Sequence, residues 1–514
     1  MRGNRFISRR SLFRGGAVLG GAAALGTAGV GFAGPLLNKD RPALTHGVLS
    51  GDVTGDTAVI WTRADRGGQM WVEWSTRPDF ADARKVPGPV FRSGNDFTAK
   101  TRLRDLPSGK TIHYRAWADD GATGEPVAGS FRATPVKGQD VKFVWSADIA
   151  GQGWGINPDL GGFVLFDDMA ATEPDFFLCS GDFYYGDNPL QESVTLPDGR
   201  VWKNVVSDEK SKVAQTLDEF RGQYKYNLTD EPLRKLLAKA PILSIWDDHE
   251  VVNNWYPGEI LDDPNYTEKD VDVLAARARK AFTEYMPNPA KPDGEGRIYR
   301  RISHGPLLDV FVLDMRTFKD ANTPNNSPDG GTVLGERQLA WLKRELKRSK
   351  ATWKVIANSL PLSLIVGDGK ENIEGIAQRD NGKPLGRESE IAELLSYIKA
   401  KKVTGTVWIT ADVHYTAAHS YDPSRAAFTD FEPFWEFVAG PANAGAFGPN
   451  KLDTTFGAKV EFSKAPDKDH QNTTPLDGYQ FFGEVAIDAE TKALTVRLVE
   501  LGGTELYRKE LPAA

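Results

Sequence analysis

Apolar positions in this chain change their period once the amino terminus is passed. From about residue 45 to 134, short runs alternate with polar or glycine turns. The runs are 58–62, 71–74, 100–103, 112–117 and 129–132, and they are rich in β-branched and aromatic residues, as in Ala58-Val59-Ile60-Trp61-Thr62. Runs of this kind at close spacing predict a small all-β sandwich with a fibronectin- or Ig-like arrangement. After a linker at 135–140 the pattern becomes strands separated by helices. Strands are expected at 141–146, 176–178, 242–246, 307–313, 353–357 and 407–410. Helices are expected at 271–282, 335–346 and 388–401, where apolar residues recur at i, i+3 and i+4. Strand–helix alternation predicts a layered α/β domain. Such domains gather their sites outside the C-terminal ends of the strands. Runs at 483–487 and 494–499 flank a polar turn and read as a hairpin closing a sheet. The boundaries that follow are 42–135 for the sandwich and 141–512 for the α/β domain.

The remaining amino terminus, residues 1–33, reads as an address and not as fold. Ser8-Arg9-Arg10-Ser11-Leu12-Phe13-Arg14 is a twin-arginine pattern, followed by a weakly apolar Gly/Ala stretch to Ala33. Its glycines argue against a stable membrane span. A signal of this type is read by the twin-arginine translocation machinery, which places the mature protein in the periplasm or outside the cell. The 514 residues carry a net charge of -7, so nothing points to a nucleic-acid partner. The single cysteine, Cys179, excludes an internal disulfide and reads as a small buried hydrophobe. A monomer is expected.

The chemistry sits at the strand ends. Phe176-Phe177-Leu178 leads into Cys179-Ser180-Gly181-Asp182-Phe183-Tyr184-Tyr185-Gly186. Asp182 falls at the tip, with Tyr185 three residues round the loop. Alone, this is the pattern of an ordinary strand end and turn. The other strands end alike: Ser146-Ala147-Asp148, Trp246-Asp247-Asp248-His249-Glu250, Asp314-Met315-Arg316, Asn358-Ser359-Leu360-Pro361 and Ala411-Asp412-Val413-His414. Buried carboxylates packed together repel and take up protons unless cations offset their desolvation. Acidic tips repeated across one domain therefore point to a two-metal centre.

In order and kind, Asp148, Gly181-Asp182-Phe183-Tyr184-Tyr185, Asp247-Asp248-His249-Glu250 and Asp412-Val413-His414 resemble the motifs of metallophosphatases. The chain looks most like the alkaline phosphatases of the PhoD type, relatives of the purple acid phosphatases. His46-Gly47-Val48-Leu49-Ser50-Gly51-Asp52 and Leu313-Asp314-Met315-Arg316 add to the likeness. The resemblance implies a four-layer αββα sandwich behind the all-β domain. It implies that Asp182 bridges two metals, that Asp148, Tyr185 and His414 complete the first shell, and that Asp248, Asp412 and Asn358 hold the second ion. His249 would face the phosphoryl group. A first site of carboxylate, phenolate and imidazole suits Fe3+, with Mn or Zn as alternatives, and an all-oxygen second site suits Ca2+. One departure is plain: the family's cysteine near the end of the first strand is missing, and Ser146-Ala147-Asp148 stands there.

Other residues read two ways. Arg316 is a bidentate phosphate clamp or a salt-bridge partner, and Asn254 touches phosphate or ends a helix. Asp247 is expected as a structural acid and Glu250 as an orienting one. Segments 186–213 and 415–478, the second carrying Phe428, Phe431, Phe434, Trp435 and Phe437, are expected to wall the site. The function expected is metal-dependent hydrolysis of phosphate mono- or diesters outside the cytoplasm. A phospholipase D-like phosphodiesterase is the alternative chemistry. A secreted, metal-stabilised binding protein with an inactive site is the alternative class.

Overall fold

A computed structural model of the protein describes residues 40–288 and 297–513. The arginine pair and the Gly/Ala stretch read above as an export signal lie outside the described residues. Among the described residues no helix is long and apolar enough to cross a membrane.

Two sheets lie face to face. The first has nine strands in the order 504–511, 494–500, 481–487, 141–146, 176–179, 242–244, 44–54, 57–64 and 98–103. The second has seven, in the order 300–304, 308–312, 353–357, 406–410, 434–438, 416–421 and 458–464. Strands 141–146, 176–179 and 242–244 run parallel, as do 308–312, 353–357, 406–410 and 434–438. Side chains alternate along each strand, and so do their destinations. Phe143 and Trp145 pack between the sheets against Val310, Val355 and Ile409, while Val144 faces outward. Phe311, Ile356 and Trp408 pack outward with the helices Gly335–Arg348 and Glu388–Ala400. The helices Leu165–Ala171, Leu217–Asn227, Glu231–Leu237 and Val271–Tyr285 cover the outer face of the first sheet. The layers are αββα, as the resemblance implied.

The amino-terminal strands form a sandwich of their own. A four-stranded sheet of 84–91, 68–75, 111–119 and 127–132 packs on strands 44–54, 57–64 and 98–103 through Val48, Ile60, Met70, Val72, Ile112 and Phe131. Strand 57–64 uses its other face too: the Trp61 indole donates to the Glu284 carbonyl at 2.7 Å. Gly51 pairs in parallel with Ile242, which joins these strands to the first sheet. The buried Arg300 guanidinium grips Asp52 at 2.8 Å across the same seam. Breaking a buried pair of this kind costs about 3–5 kcal/mol.

Three differences from the sequence reading have physical causes. The strand expected to run to 246 ends at Ser244, because Trp246 turns its indole to Asp314 Oδ1 at 2.9 Å. Helix Leu217–Asn227 escaped notice because polar residues blur its period, although Thr216 and Glu219 form a capping box at its start. The aromatics of the segment expected to wall the site lie in sheet and core, whereas its stretch near 445 does border the site: the Gly445 carbonyl accepts from the His414 ring and Phe447 stacks on that ring at 4.4 Å. Phe434–Val438 is a strand with neighbours on both edges, so Phe434 fills the outer core and Phe437 the inner one, with Trp435 packed beside it. Phe431 is buried with Phe434, and Phe428 packs against the same cluster.

Candidate metal centre

The parallel strands deliver their C-terminal ends to one edge. Asp148, Asp182, Asp247-Asp248-His249, Asn358 and Asp412-Val413-His414 each follow such a strand. The backbone turns sharply at these tips. Asp148, Asp182, Asp412 and His414 have φ of 61, 46, 71 and 56°, and Asn254 has 58°. Left-handed conformations cost a non-glycine residue roughly 1–2 kcal/mol each and cluster where geometry serves function. Gly181, with φ 109°, is needed for closeness: a Cβ there would lie 2.5 Å from the Asp247 Cβ.

Tyr185 Oη lies 2.7 Å from His414 Nε2, which is 3.7 Å from Asp148 Oδ1. His414 Nδ1–H donates to the Gly445 carbonyl at 2.5 Å, which leaves Nε2 as the lone-pair nitrogen facing inward. Asp182, Asp248 and His249 offer ligand atoms that all lie within 4.8 Å of one another, and so do Asp247, Asp248 and Asp412. Glu250 lies beneath and accepts the backbone N–H groups of Asp182, Phe183 and Asp247 at 3.1, 2.7 and 2.6 Å. It ties two strand tips together, the orienting role expected of it.

Several buried oxygens have no hydrogen-bond partner among the described residues: both on Asp148, Oδ1 of Asp248, Oδ2 of Asp412 and Oδ1 of Asn358. Asn358 spends its amide N–H on the Leu360 carbonyl at 2.7 Å. A buried oxygen without a donor is costly, and a cation removes the cost. The donor set therefore fits metal ions.

Electrostatics agree. Burial pushes the Asp148 and Asp182 carboxyls well above the usual range, and Asp247 and Asp248 add to it for the one and the other. Asp412 moves the same way, through burial and then Glu374. Burial also opposes the Asp248 carboxylate, but Arg316 and His249 outweigh it and hold it down at about 2. Burial pushes His414 down to about 3, the neutral form that can ligate. Burial works against charge on His249 as well, but Asp187 and Asp248 lift it to about 9.

Two expected site residues stand elsewhere than imagined. Arg316 has no exposed surface. Its Nε binds Asp247 and its Nη1 binds Glu374, while Nη2 is 3.4 Å from Asp248 Oδ1 and 3.6 Å from Asp412 Oδ1. The guanidinium is enclosed, so a buried ion pair replaces the open clamp expected, with Nη2, which has no hydrogen-bond partner among the described residues, facing the Asp248 and Asp412 oxygens. Asn254 gives its backbone N–H to Asp248 Oδ2 at 2.7 Å and turns its amide to Asp368 at 3.3 Å. It orients a carboxylate through its backbone. Asp247, expected as structural, sits among the ligand atoms with Oδ2 unpartnered.

Sequence reading missed Asp187, Lys210, Glu374 and Asp368. Asp187 Oδ1 lies 2.7 Å from His249 Nδ1, and its place two residues after Tyr185 was the available signal. Asp368 lies in a short hairpin of 367–368 with 372–373, and Glu374 directly follows it, with no local pattern to mark either.

Comparison with known proteins agrees with this geometry. The family model for the PhoD-like phosphatase matches residues 143–498, and that for the PhoD-like phosphatase N-terminal domain matches 32–135. The alkaline phosphatase D of Bacillus subtilis (strain 168) is 28% identical over 437 residues, covering 80% of this chain and 71% of that one. The solved structure of PhoD superposes with a TM-score of 0.69 at 21% identity, over 93% of this chain and 90% of the other. A purple acid phosphatase from yellow lupin (Lupinus luteus) seeds gives 0.59 at 11% identity, over 93% and 75%. These two structures share the fold. With both family models matched in order along the chain, the protein belongs to the PhoD-like phosphatases and is a phosphoric ester hydrolase.

Proposed function

We propose that the protein is an exported, two-metal hydrolase of small phosphate mono- and diesters. The donor-free buried oxygens of Asp148, Asp248, Asp412 and Asn358 carry this reading. Asp148, Tyr185 and His414 would hold one cation, Asp248, Asp412 and Asn358 the other, with Asp182 shared. When bound, the ions supply Lewis acidity to the phosphoryl oxygens and a nucleophile at neutral pH. His249 does the proton work: Asp187 occupies Nδ1, so Nε2 is the edge left to protonate the departing alkoxide. The Tyr185 ring, 4.0 Å from the His249 ring between centroids, limits its swing. Asn254 and Arg316 hold the Asp248 carboxylate from two sides. Release of nitrophenol from a nitrophenyl phosphate or a bis(nitrophenyl) phosphate tests the activity, and turnover of neither overturns it.

Carboxylate, phenolate and imidazole favour Fe3+ at the first position, and oxygen ligands alone favour Ca2+ at the second. Elemental analysis of active protein recovered through its native export route is expected to find iron and calcium. Two equivalents of zinc with no calcium would overturn the assignment.

Arg9 and Arg10 support a periplasmic or secreted location. Replacing both with Lys should abolish export, measured as extracytoplasmic activity. Unchanged activity outside the cytoplasm rejects the address.

A further inference from the structure

Lys210 lies in the long segment after Gly186 and has no exposed surface. A buried ammonium is costly unless its charge and donors are met. Its Nζ donates to the Tyr185 carbonyl at 2.9 Å and stands 5.6 Å from the centre of the Tyr226 ring. Burial pushes the ammonium down to about 7, with Asp187 the charged group that opposes the shift. The Lys210 carbonyl accepts the Leu190 N–H at 2.7 Å. One residue therefore closes the 185–190 turn at both ends.

That turn carries two parts of the centre. Tyr185 reaches His414. Asp187 bridges to the neighbouring segment, with Oδ1 on His249 Nδ1 at 2.7 Å and Oδ2 accepting the Asn253 N–H at 2.8 Å. The Gly186 N–H adds a bond to the His249 carbonyl at 2.8 Å. Glu250 already joins the two segments at the strand tips, and the turn that Lys210 holds adds the contacts that reach the His249 ring and the Asn253 backbone.

We infer that Lys210 is a positioning residue for His249, acting through the Tyr185 carbonyl and the Asp187 carboxylate to keep Nε2 aimed at the reacting phosphoryl group. The inference rests on the role given to His249 above.

The test is a double-mutant cycle on the metal-loaded enzyme. Lys210→Met keeps the chain length and removes the donor to the Tyr185 carbonyl. It should lower kcat on an alkyl phosphate about 10- to 100-fold, the range typical of outer-shell partners. KM, inhibition by inorganic phosphate and metal content should hold, and Lys210→Arg should recover part of the loss. In a His249→Ala background the Lys210→Met loss should vanish, because no imidazole remains to position. The same loss in both backgrounds overturns the inference, as does loss of metal in Lys210→Met. Should Lys210→Met fail to fold, Lys210→Gln reads the same cycle and must show the same non-additivity. Failure of the His249 role itself is separate: His249→Ala would then lose equally on all esters, while the cycle still reports whether Lys210 acts through it.

Discussion

Exhaustive chelation will abolish phosphate-ester hydrolysis and lower the melting temperature, and added metal will restore both. Both buried Asp148 oxygens and one each on Asp248, Asp412 and Asn358 have no hydrogen-bond partner among the described residues, so bound cations would offset a cost this edge of the fold otherwise carries. An ion that binds the native state alone stabilises it by about 4 kcal/mol at 1,000 times its Kd. Domains of 150–250 residues shift by roughly 2–4 °C per kcal/mol, and longer chains by less. A fall on the order of 5 °C is therefore expected, read by calorimetry. The effect has a pH signature. In the metal-free fold burial lifts Asp247 from 3.8 to about 6 and Glu250 from 4.5 to about 8. Asp148, Asp182 and Asp412 shift upward too. An acid whose folded pKa is raised contributes stability fully below its unfolded pKa and loses it as pH rises through the folded one. The chelated protein should thus weaken as pH climbs through about 6 and then about 8, and its gap to the metal-loaded protein should widen. Full activity in protein with metal content near zero would refute the centre. A gap that narrows with rising pH would refute the electrostatic account of it.

His249→Ala should separate chemistry from metal binding. Its Nδ1 is taken by Asp187, its ring is packed on Tyr185, and its Nε2 is 4.0 Å from Asp248 Oδ2. As a proton donor to the leaving group it contributes ~10²–10⁴-fold. The variant should keep its metals, bind inorganic phosphate nearly as before, and lose kcat by about that factor on an alkyl ester. A nitroaryl phosphate leaves without much protonation, so its loss should be smaller. Both esters are to be run on both proteins, with metal content measured on each. Equal losses reject the leaving-group role. A missing metal moves His249 among the ligands, where its distances to Asp182 and Asp248 would also allow it.

What the chain's local pattern determined by itself was the alternation of strand and helix and the acids at most of the strand ends. Period-2 and period-3.6 runs need only neighbours in sequence, so a layered α/β domain and the tips at Asp148, Asp182, Asp248, Asp412 and His414 were legible from the chain, while the αββα order of the layers came from the resemblance alone. Tertiary structure decided what the tips face. Glu374 stands far along the chain, yet it takes one nitrogen of Arg316 into a buried ion pair. Asp187 went unread in the sequence, and only the strand ending at Ser244 brings His249 against it. The aromatics from 428 to 437 read as a loop wall because one strand's pattern does not reveal neighbours on both edges; hydrogen bonding to 406–410 and 416–421 put them in the core. A residue's type is local, whereas burial, charge partners and line of approach are set by segments hundreds of residues away, and those set the chemistry here.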